Sequence, residues 1–173
     1  MQLKDAIKLI ECDFLTRQSV PSVWADLGCG AGLFAQALDH YLYPGSKIFC
    51  VDKRAGSGFK ISGSNAGVIF INADFEKDNL PFKKLNGILM ANSLHYVKDK
   101  FSFFKKCMKI FHNETFLIVE YDTDIPVFNW VPYPINFESL NKLSGSLSFH
   151  SVVRTGDHAS LYGRGGIYAA LIQ

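Results

Sequence analysis

Three glycines at alternate positions constrain the fold of this chain more than any other feature, in the run Asp26-Leu27-Gly28-Cys29-Gly30-Ala31-Gly32. The run follows an apolar, strand-like segment and precedes a segment whose apolar residues recur at helical spacing. Glycine has no side chain, so a ligand can approach the backbone N–H groups at the start of that helix. A tight turn without a ligand is the alternative, but three glycines carry an entropic cost that a plain turn does not require. The run therefore predicts a ligand held where a strand passes into a helix.

The spacing of the glycines disfavours two common nucleotide-binding loops. In the dinucleotide fingerprint G-x-G-x-x-G, the third glycine allows the helix to pack closely on the strand. Counted from Gly28, that position is Leu33, and the third glycine stands one residue earlier, at Gly32. No Gly-Lys-Ser or Gly-Lys-Thr follows, as a Walker loop requires. A nicotinamide-dependent oxidoreductase is therefore the weakest of the hypotheses that remain open.

Short apolar runs alternate with helical patterns along the chain, which is typical of β-α-β units and a largely parallel sheet. The runs are nearly continuous in apolar residues, as expected of strands that helices cover on both faces. With 173 residues, 48% of them apolar and 20% charged, the chain has the size and composition of one folded α/β domain. The first five predicted strands span residues 23–27, 47–52, 68–73, 87–92 and 115–121.

Helical spacing and turn residues complete the predicted order of elements. The apolar stripes are Leu3, Ala6, Ile7 and Ile10; Phe34, Ala37, Leu38 and Tyr41; and Val97, Phe101, Phe104, Met108 and Phe111. Lysines occupy the positions between the apolar residues of the third stripe, and we expect the helix face that they form to be solvated. Residues 55–67 predict a loop or a short irregular helix, and Asn136 suits the N-cap of a further helix through residue 143. Segments 148–154 and 166–172 predict an antiparallel hairpin at the sheet edge.

Charge, cysteine usage and hydropathy narrow the classes of function. The formal net charge of +2 gives no strong sign of a nucleic-acid partner. The cysteines lack Cys-x-x-Cys spacing and nearby histidine clusters, so we expect no metal site and no disulfide framework. No stretch approaches the roughly 18–20 apolar residues that span a bilayer, and charges interrupt the N-terminal apolar pattern. We therefore expect a cytoplasmic protein with reduced thiols and no membrane partner.

One segment resembles the first motif of a known family. It is Val23-Trp24-Ala25-Asp26-Leu27-Gly28-Cys29-Gly30-Ala31-Gly32. It resembles the first motif, D-x-G-x-G-x-G, of the class I, Rossmann-like S-adenosylmethionine-dependent methyltransferases, and the chain is similar to the small type 11 members. The resemblance implies a three-layer α/β fold with a seven-stranded, mostly parallel sheet of order 3-2-1-4-5-7-6 and a C-terminal antiparallel hairpin. It also implies a single methyltransferase domain over residues 1–173, with a helical lead-in at 1–20 and the cofactor-binding core at 23–173.

The resemblance implies a site for S-adenosylmethionine, with S-adenosylhomocysteine as the product. In that family the glycines lie beside the methionine part of the cofactor, and the acid at the strand end helps to organise the site around its amino group. These roles fall on Gly28, Gly30, Gly32 and Asp26, with Cys29 inside the same loop.

Two further acids extend the match. Asp52 ends the next strand about twenty residues after the glycines, where a carboxylate can accept hydrogen bonds from both ribose hydroxyls. NAD enzymes share this spacing, so it supports a nucleoside without choosing one, and the resemblance adds Lys53 beside it. The run Asn72-Ala73-Asp74-Phe75 resembles the family segment whose acid binds the adenine amino group and whose next residue packs on the ring. Asp74 and Phe75 take those roles.

The segment Met90-Ala91-Asn92-Ser93-Leu94-His95-Tyr96 resembles the part of the family that lies under the cofactor and faces the substrate. Asn92 would contribute through its backbone carbonyl and side chain. His95 can act as a general base if the acceptor must lose a proton, and a packing or hydrogen-bonding histidine is the alternative. The implied reaction is in-line attack on the sulfonium methyl group, in which the enzyme mainly supplies positioning.

The acceptor should bind outside the C-terminal ends of the strands, where open α/β sheets hold their ligands. Aromatic residues are more often part of a core, but the residues expected there are His95, Tyr96, Tyr121, Asp122, Trp130 and Tyr133. We favour a small-molecule acceptor and a monomer or weak homodimer. A methyltransferase that acts on protein or RNA with a partner's help, and a non-catalytic cofactor-binding domain, are the alternatives.

Overall fold

A seven-stranded mixed sheet forms the centre of the molecule. The computed structural model describes residues 1–54, 65–111, 115–159 and 165–173, with the backbone alone at residues 110 and 111. The strands are β1 (Val23–Leu27), β2 (Lys47–Asp52), β3 (Gly67–Asn72), β4 (Gly87–Ala91), β5 (Phe116–Tyr121), β6 (Val152–Ala159) and β7 (Gly166–Ile172). Their order is β3-β2-β1-β4-β5-β7-β6; β1 to β5 are parallel, and β7 is antiparallel to both neighbours. This confirms the expected sheet order and the C-terminal hairpin.

Helices cover both faces of the sheet. The described part of the chain contains α1 (Leu3–Ile10), α2 (Asp13–Thr16), α3 (Leu33–Asp39), α4 (Lys100–Phe111) and α5 (Phe137–Ser146), with a 3-10 turn at Leu94–Tyr96. Apolar residues of α1 and α3 pack on one sheet face, and those of α4 and α5 pack on the other. Successive strand residues alternate between the faces, so Trp24 points toward α3 while Ala25 and Leu27 point the other way. The three-layer arrangement is therefore confirmed. None of the described helices is long and apolar enough to cross a membrane.

The N-terminal helix closes one side of the core. Its residues Ala6, Leu9 and Ile10 are buried against α3, β6 and β7. The hydroxyl of Tyr41, just after α3, donates a hydrogen bond to the carbonyl of Ile7 at 3.0 Å. This agrees with the amphipathic helix that the spacing predicts. The four residues of α2 are too few for a periodic pattern to reveal.

The stripe predicted for α4 is partly wrong. Phe103, Phe104 and Cys107 face the core, whereas Phe101 is 38% exposed. The helix begins at Lys100, and the side chain of Phe111 lies outside the described residues. Two lysines of the face that we expected to be solvated have partners: Lys100 donates to the carbonyls of Val97 and Tyr133, and Lys106 donates to that of Glu76.

The sixth strand lies later in the chain than its sequence predicts. Residues 148–154 were the expected strand, but Ser148 has a left-handed backbone with φ +64° and turns the chain after α5. The strand continues instead through Gly156 and Asp157, past a bulge beside Arg154. Polar residues are tolerated there because β6 is an edge strand with one exposed side. Residues 55–64 of the predicted loop, and 160–164 of the hairpin connection, lie outside the described residues.

Gly87 at the start of β4 should tolerate no side chain. A Cβ atom added there would overlap the indole ring of Trp24 on β1. We expect Gly87→Ala to lower the free energy of unfolding by about 1–3 kcal/mol, the usual cost of overpacking. Gly145→Ala is the control, because it adds a Cβ to helix α5 in open space and should stabilise by about 0.5–1 kcal/mol. Equal effects of both changes in urea unfolding would contradict this packing.

Candidate functional site

A cavity of about 420 Å³ lies at the C-terminal ends of β1, β2, β3 and β4. Its volume falls within the range of roughly 300–1,000 Å³ that is typical of small-molecule sites. The lining residues are Gly28, Gly30 and Ala31; Asp52, Lys53 and Arg54; Ala73, Asp74, Phe75 and Glu76; Asn92, Ser93 and Tyr96; and Asn129. The structure thus brings together segments that the sequence analysis assigns to one cofactor site.

The three glycines have different surroundings, although φ is positive at each. A Cβ at Gly28 would lie 2.5 Å from the Cβ of Ser93, so the loop packs closely on the segment after β4. A Cβ at Gly30 would meet no described atom within 4 Å, because this glycine borders the cavity. Gly32, at φ +88°, is the N-cap of α3 and does not line the cavity. Cys29 is buried against the α3 side of the sheet and does not line it either.

The backbone N–H groups of this loop are largely satisfied within the protein. Those of Gly28 and Cys29 donate to the carbonyl of Val51 at 2.8 and 3.1 Å, and that of Gly32 donates to the carbonyl of Cys29 at 2.9 Å. The expectation that these N–H groups face a ligand is therefore wrong at these positions. The loop offers a ligand close approach and shape instead.

Asp52 links the glycine loop to the end of β2. Its Oδ2 accepts a hydrogen bond from the N–H of Gly30 at 2.9 Å, and its Oδ1 accepts one from the N–H of Arg54 at 2.8 Å. Each carboxylate oxygen has two lone pairs, so each can still accept one bond from the cavity side. This pattern suits a ligand with two adjacent hydroxyl groups.

Asp26 lies behind the loop and is 1% exposed. Neither carboxylate oxygen accepts a well-formed hydrogen bond from the described residues, although the nearby backbone N–H of Ala35 acts to lower the pKa of Asp26. Burial, and then the nearby charge of Asp52, raise the pKa of Asp26 from 3.8 to about 8. A buried acid of this kind is costly for the fold and often marks a functional site.

Asp74 and Phe75 form the part of the cavity that follows β3. The Oδ1 of Asp74 accepts a hydrogen bond from the N–H of Glu76, and the N–H of Asp74 donates to Asp78. The ring of Phe75 meets that of Phe103 edge to face at 5.9 Å between centroids. An apolar ring face beside a fixed carboxylate is therefore available in the wall.

Asn92 and His95, which the sequence analysis placed together in the segment after β4, have different surroundings in the structure. Asn92 has φ +52° and lines the cavity, and its N–H donates to the carbonyl of Val119. His95 is only 2% exposed, and its Nδ1 lies 2.7 Å from Oε2 of Glu120. The N–H of His95 also donates to Glu120. His95 therefore lies in a buried ion-pair geometry and lines neither this cavity nor the second one described below.

The predicted acceptor residues are dispersed. Tyr96 lines the 420 Å³ cavity, whereas Tyr121 lines a second cavity of about 230 Å³. Trp130 and Tyr133 are 51% and 40% exposed and line neither of these two cavities. Asp122 is occupied by Arg154 and by the N–H of Phe137. The second cavity shares Asn92 with the first.

Several lining residues were not predicted. Ala31, Arg54, Ala73, Glu76 and Ser93 adjoin predicted residues, so their proximity in sequence was an available signal. Asn129 reaches the cavity from a distant turn, where its φ is +63° and a bridge joins Val127 and Val131. No sequence pattern marks that contact. Among the described residues, no cluster of three or more His, Cys, Asp or Glu is suited to hold a metal ion.

Comparisons with known proteins agree with this architecture. A family model described as a methyltransferase domain matches residues 25–119. The magnesium protoporphyrin IX methyltransferase of Synechocystis is 14% identical with a TM-score of 0.65, covering 99% of this chain and 78% of that one. A methyltransferase from Leishmania major is 16% identical with a TM-score of 0.73, covering 99% and 73%. A small RNA methyltransferase is 17% identical with a TM-score of 0.70, covering 99% and 25%. At these identities the structural likeness establishes the fold, and no curated protein matches the sequence.

The surroundings of Gly28 and Gly30 predict different costs for the same substitution. Gly28→Ala combines left-handed backbone strain with a steric overlap and should lower the free energy of unfolding by about 2–5 kcal/mol. Gly30→Ala carries the strain alone, at about 1–2 kcal/mol. Urea unfolding of both variants checks the order, and a larger loss for Gly30→Ala would show that the loop packs differently.

Proposed function

The chain belongs to the methyltransferase-domain family, and from this premise we propose that it transfers the methyl group of S-adenosylmethionine to a small-molecule acceptor. The observation that carries the proposal is one cavity that unites the open side of Gly30 with the carboxylates of Asp52 and Asp74. The Synechocystis relative holds S-adenosylmethionine in its crystal structure. We propose that residues 1–173 act as one domain, since α1 packs against α3 and β6.

The residues present fit that cofactor. Asp26 lines neither cavity, but its buried carboxylate lies behind the glycine loop and would attract an amino group placed over that loop. The space beside Gly30, which a Cβ would enter, suits the methionine part. The free lone pairs of Asp52 suit the ribose hydroxyls, with Lys53 beside them, and Asp74 and Phe75 suit the adenine. Asn92 lies at the boundary between the two cavities.

The protein's contribution to catalysis is mainly orientation. The cofactor supplies an electrophilic methyl group on a sulfonium centre, and this chemistry needs few catalytic side chains. The bonds from the loop to Val51 and Asp52 hold the glycines in place, and Ser93 fixes the opposite wall by donating to the carbonyl of Leu27 at 2.6 Å. A site that is already ordered lowers the entropic cost of bringing donor and acceptor together.

A macromolecular acceptor is the second candidate, because one surface favours it. The turn between β5 and α5 exposes Val127, Phe128 and Trp130, and Phe128 is 90% exposed. Asn129 of the same turn lines the 420 Å³ cavity, so a partner on this surface would lie at its mouth. Exposed apolar clusters of this kind often contact other proteins. Replacing Phe128 by Ser distinguishes the two candidate functions. Activity on a small acceptor should not change, whereas activity on a macromolecular acceptor should fall.

Calorimetric titration with S-adenosylmethionine and S-adenosylhomocysteine tests the cofactor assignment. We expect Gly30→Val to abolish measurable binding, because its side chain enters the cavity. Asp52→Asn should weaken binding by about tenfold, the equivalent of roughly one hydrogen bond to a charged group. Gly45→Val is the matched control: Gly45 also has positive φ, at +89°, but it does not line the cavity, and a Cβ there would contact Pro21 instead. No binding by the folded native protein, or equal weakening by the control, would refute the proposal.

Asp26 should make both stability and cofactor binding depend on pH. Its pKa is raised from 3.8 to about 8 in the folded protein, so the unfolded chain loses the proton at lower pH. The cofactor-free protein should therefore become less stable as pH rises from about 4 to about 8, and Asp26→Asn should remove most of this dependence. An amino group bound over the loop would favour the charged form of Asp26 behind it, so binding should release a proton and tighten toward pH 8. Calorimetric titrations in two buffers of different ionisation enthalpy measure the released proton. If no proton is released, Asp26 does not interact with the cofactor.

A further inference from the structure

The second cavity lies beside the first, on the face of the sheet that α3 covers. Leu33 and Phe34 of α3 and Ile167 of β7 form its apolar wall. Tyr121 at the end of β5 and His158 near the end of β6 add polar groups. Asn92 lines both cavities, so the two cavities adjoin at this residue.

The hydrogen bond of His158 defines which of its ring nitrogens is basic. Its Nδ1 lies 2.7 Å from the carbonyl oxygen of Ala159. A carbonyl oxygen can only accept, so Nδ1 carries the hydrogen when this bond forms. The lone pair of the neutral ring is then on Nε2, which is the arrangement of a general base.

His95 is less suited to this task. Its Nδ1 is held in the same way by Glu120, but its Nε2 is buried and has no described partner. The ring lines neither cavity. A base must reach the proton that it removes, directly or through one water molecule. Of these two histidines, His158 is the one with a cavity beside it.

We propose that the second cavity is the acceptor site, that its ligand is a compact phenol-like compound, and that His158 is the catalytic base. This inference rests on the proposed function. The acceptor's O–H proton passes to Nε2 of His158 while the oxygen lone pair forms the bond to the methyl carbon. The methyl–sulfur bond breaks, and its electron pair stays on sulfur to give S-adenosylhomocysteine. The methyl ether and a protonated histidine remain, and solvent removes the proton.

The size and chemistry of the cavity select this class of acceptor. An engineered apolar cavity of about 150 Å³ binds benzene, so about 230 Å³ admits one substituted aromatic ring. The apolar wall from Leu33, Phe34 and Ile167 favours an aromatic ring. A hydroxyl is a weak nucleophile that an adjacent base activates, whereas a neutral amine attacks without losing a proton first.

The probe for this inference is 4-nitrophenol, whose ionised form absorbs visible light. It is added to protein saturated with S-adenosylhomocysteine, at a pH where the free probe is mostly protonated. We expect the bound probe to ionise, because His158 takes its proton. His158→Gln should still bind the probe within about threefold but leave it protonated, and His150→Gln, a change at an exposed histidine, should behave as the native protein.

A second variant tests the location. Leu33→Trp fills the cavity and should weaken probe binding at least tenfold while S-adenosylhomocysteine still binds. The inference is overturned if the native protein does not bind the probe, if the bound probe stays protonated, or if His158→Gln ionises it equally. It is also overturned if Leu33→Trp has no effect. Because cofactor binding is measured separately by calorimetry, loss of that binding would instead refute the proposed function.

Discussion

Three hydrogen bonds hold the glycine loop against the end of β2, and the shape of the 420 Å³ cavity depends on them. The N–H groups of Gly28 and Cys29 share the carbonyl of Val51, and the N–H of Gly30 donates to Asp52. These bonds fix the left-handed conformations that only glycine adopts without strain. The same carboxylate accepts from Arg54, so one side chain sets both the loop and the turn that follows β2.

Packing from β4 adds the second constraint. Ser93 occupies the space that a side chain at Gly28 would need, and its hydroxyl donates to the carbonyl of Leu27. The ends of β1, β2 and β4 are thereby joined, and Asp26 is enclosed behind them without a well-formed hydrogen bond to either carboxylate oxygen. Leaving a buried acid in this state costs stability, which a ligand with a cationic group would recover. The loop is thus held by hydrogen bonds on the cavity side, whereas the carboxylate behind it is left unsatisfied.

Local signals are sufficient for much of the fold. The apolar runs predict the bounds of β1, β2 and β7 as the structure has them, and Asn136 caps α5 by accepting from the N–H of Ser139. The sheet order follows from the resemblance and not from the strand pattern, because pairing joins residues distant in sequence. For the same reason the pattern misses the partners of Lys100 and the contribution of Asn129 to the cavity. The edge strand β6 is misplaced because its polar residues do not alternate clearly with apolar ones.

The positions of the two histidines follow from alternation along β5. Glu120 and Tyr121 are consecutive, so they point to opposite faces of the sheet. Glu120 binds His95 within the buried part of one face, whereas Tyr121 faces the second cavity together with Ile167, which pairs with His158 across the hairpin. A motif after β4 identifies a histidine near the site, but the register of β5, β7 and β6 decides which histidine borders a cavity. The C-terminal hairpin therefore decides which residues line the second cavity, whereas the loop after β1 shapes the 420 Å³ cavity.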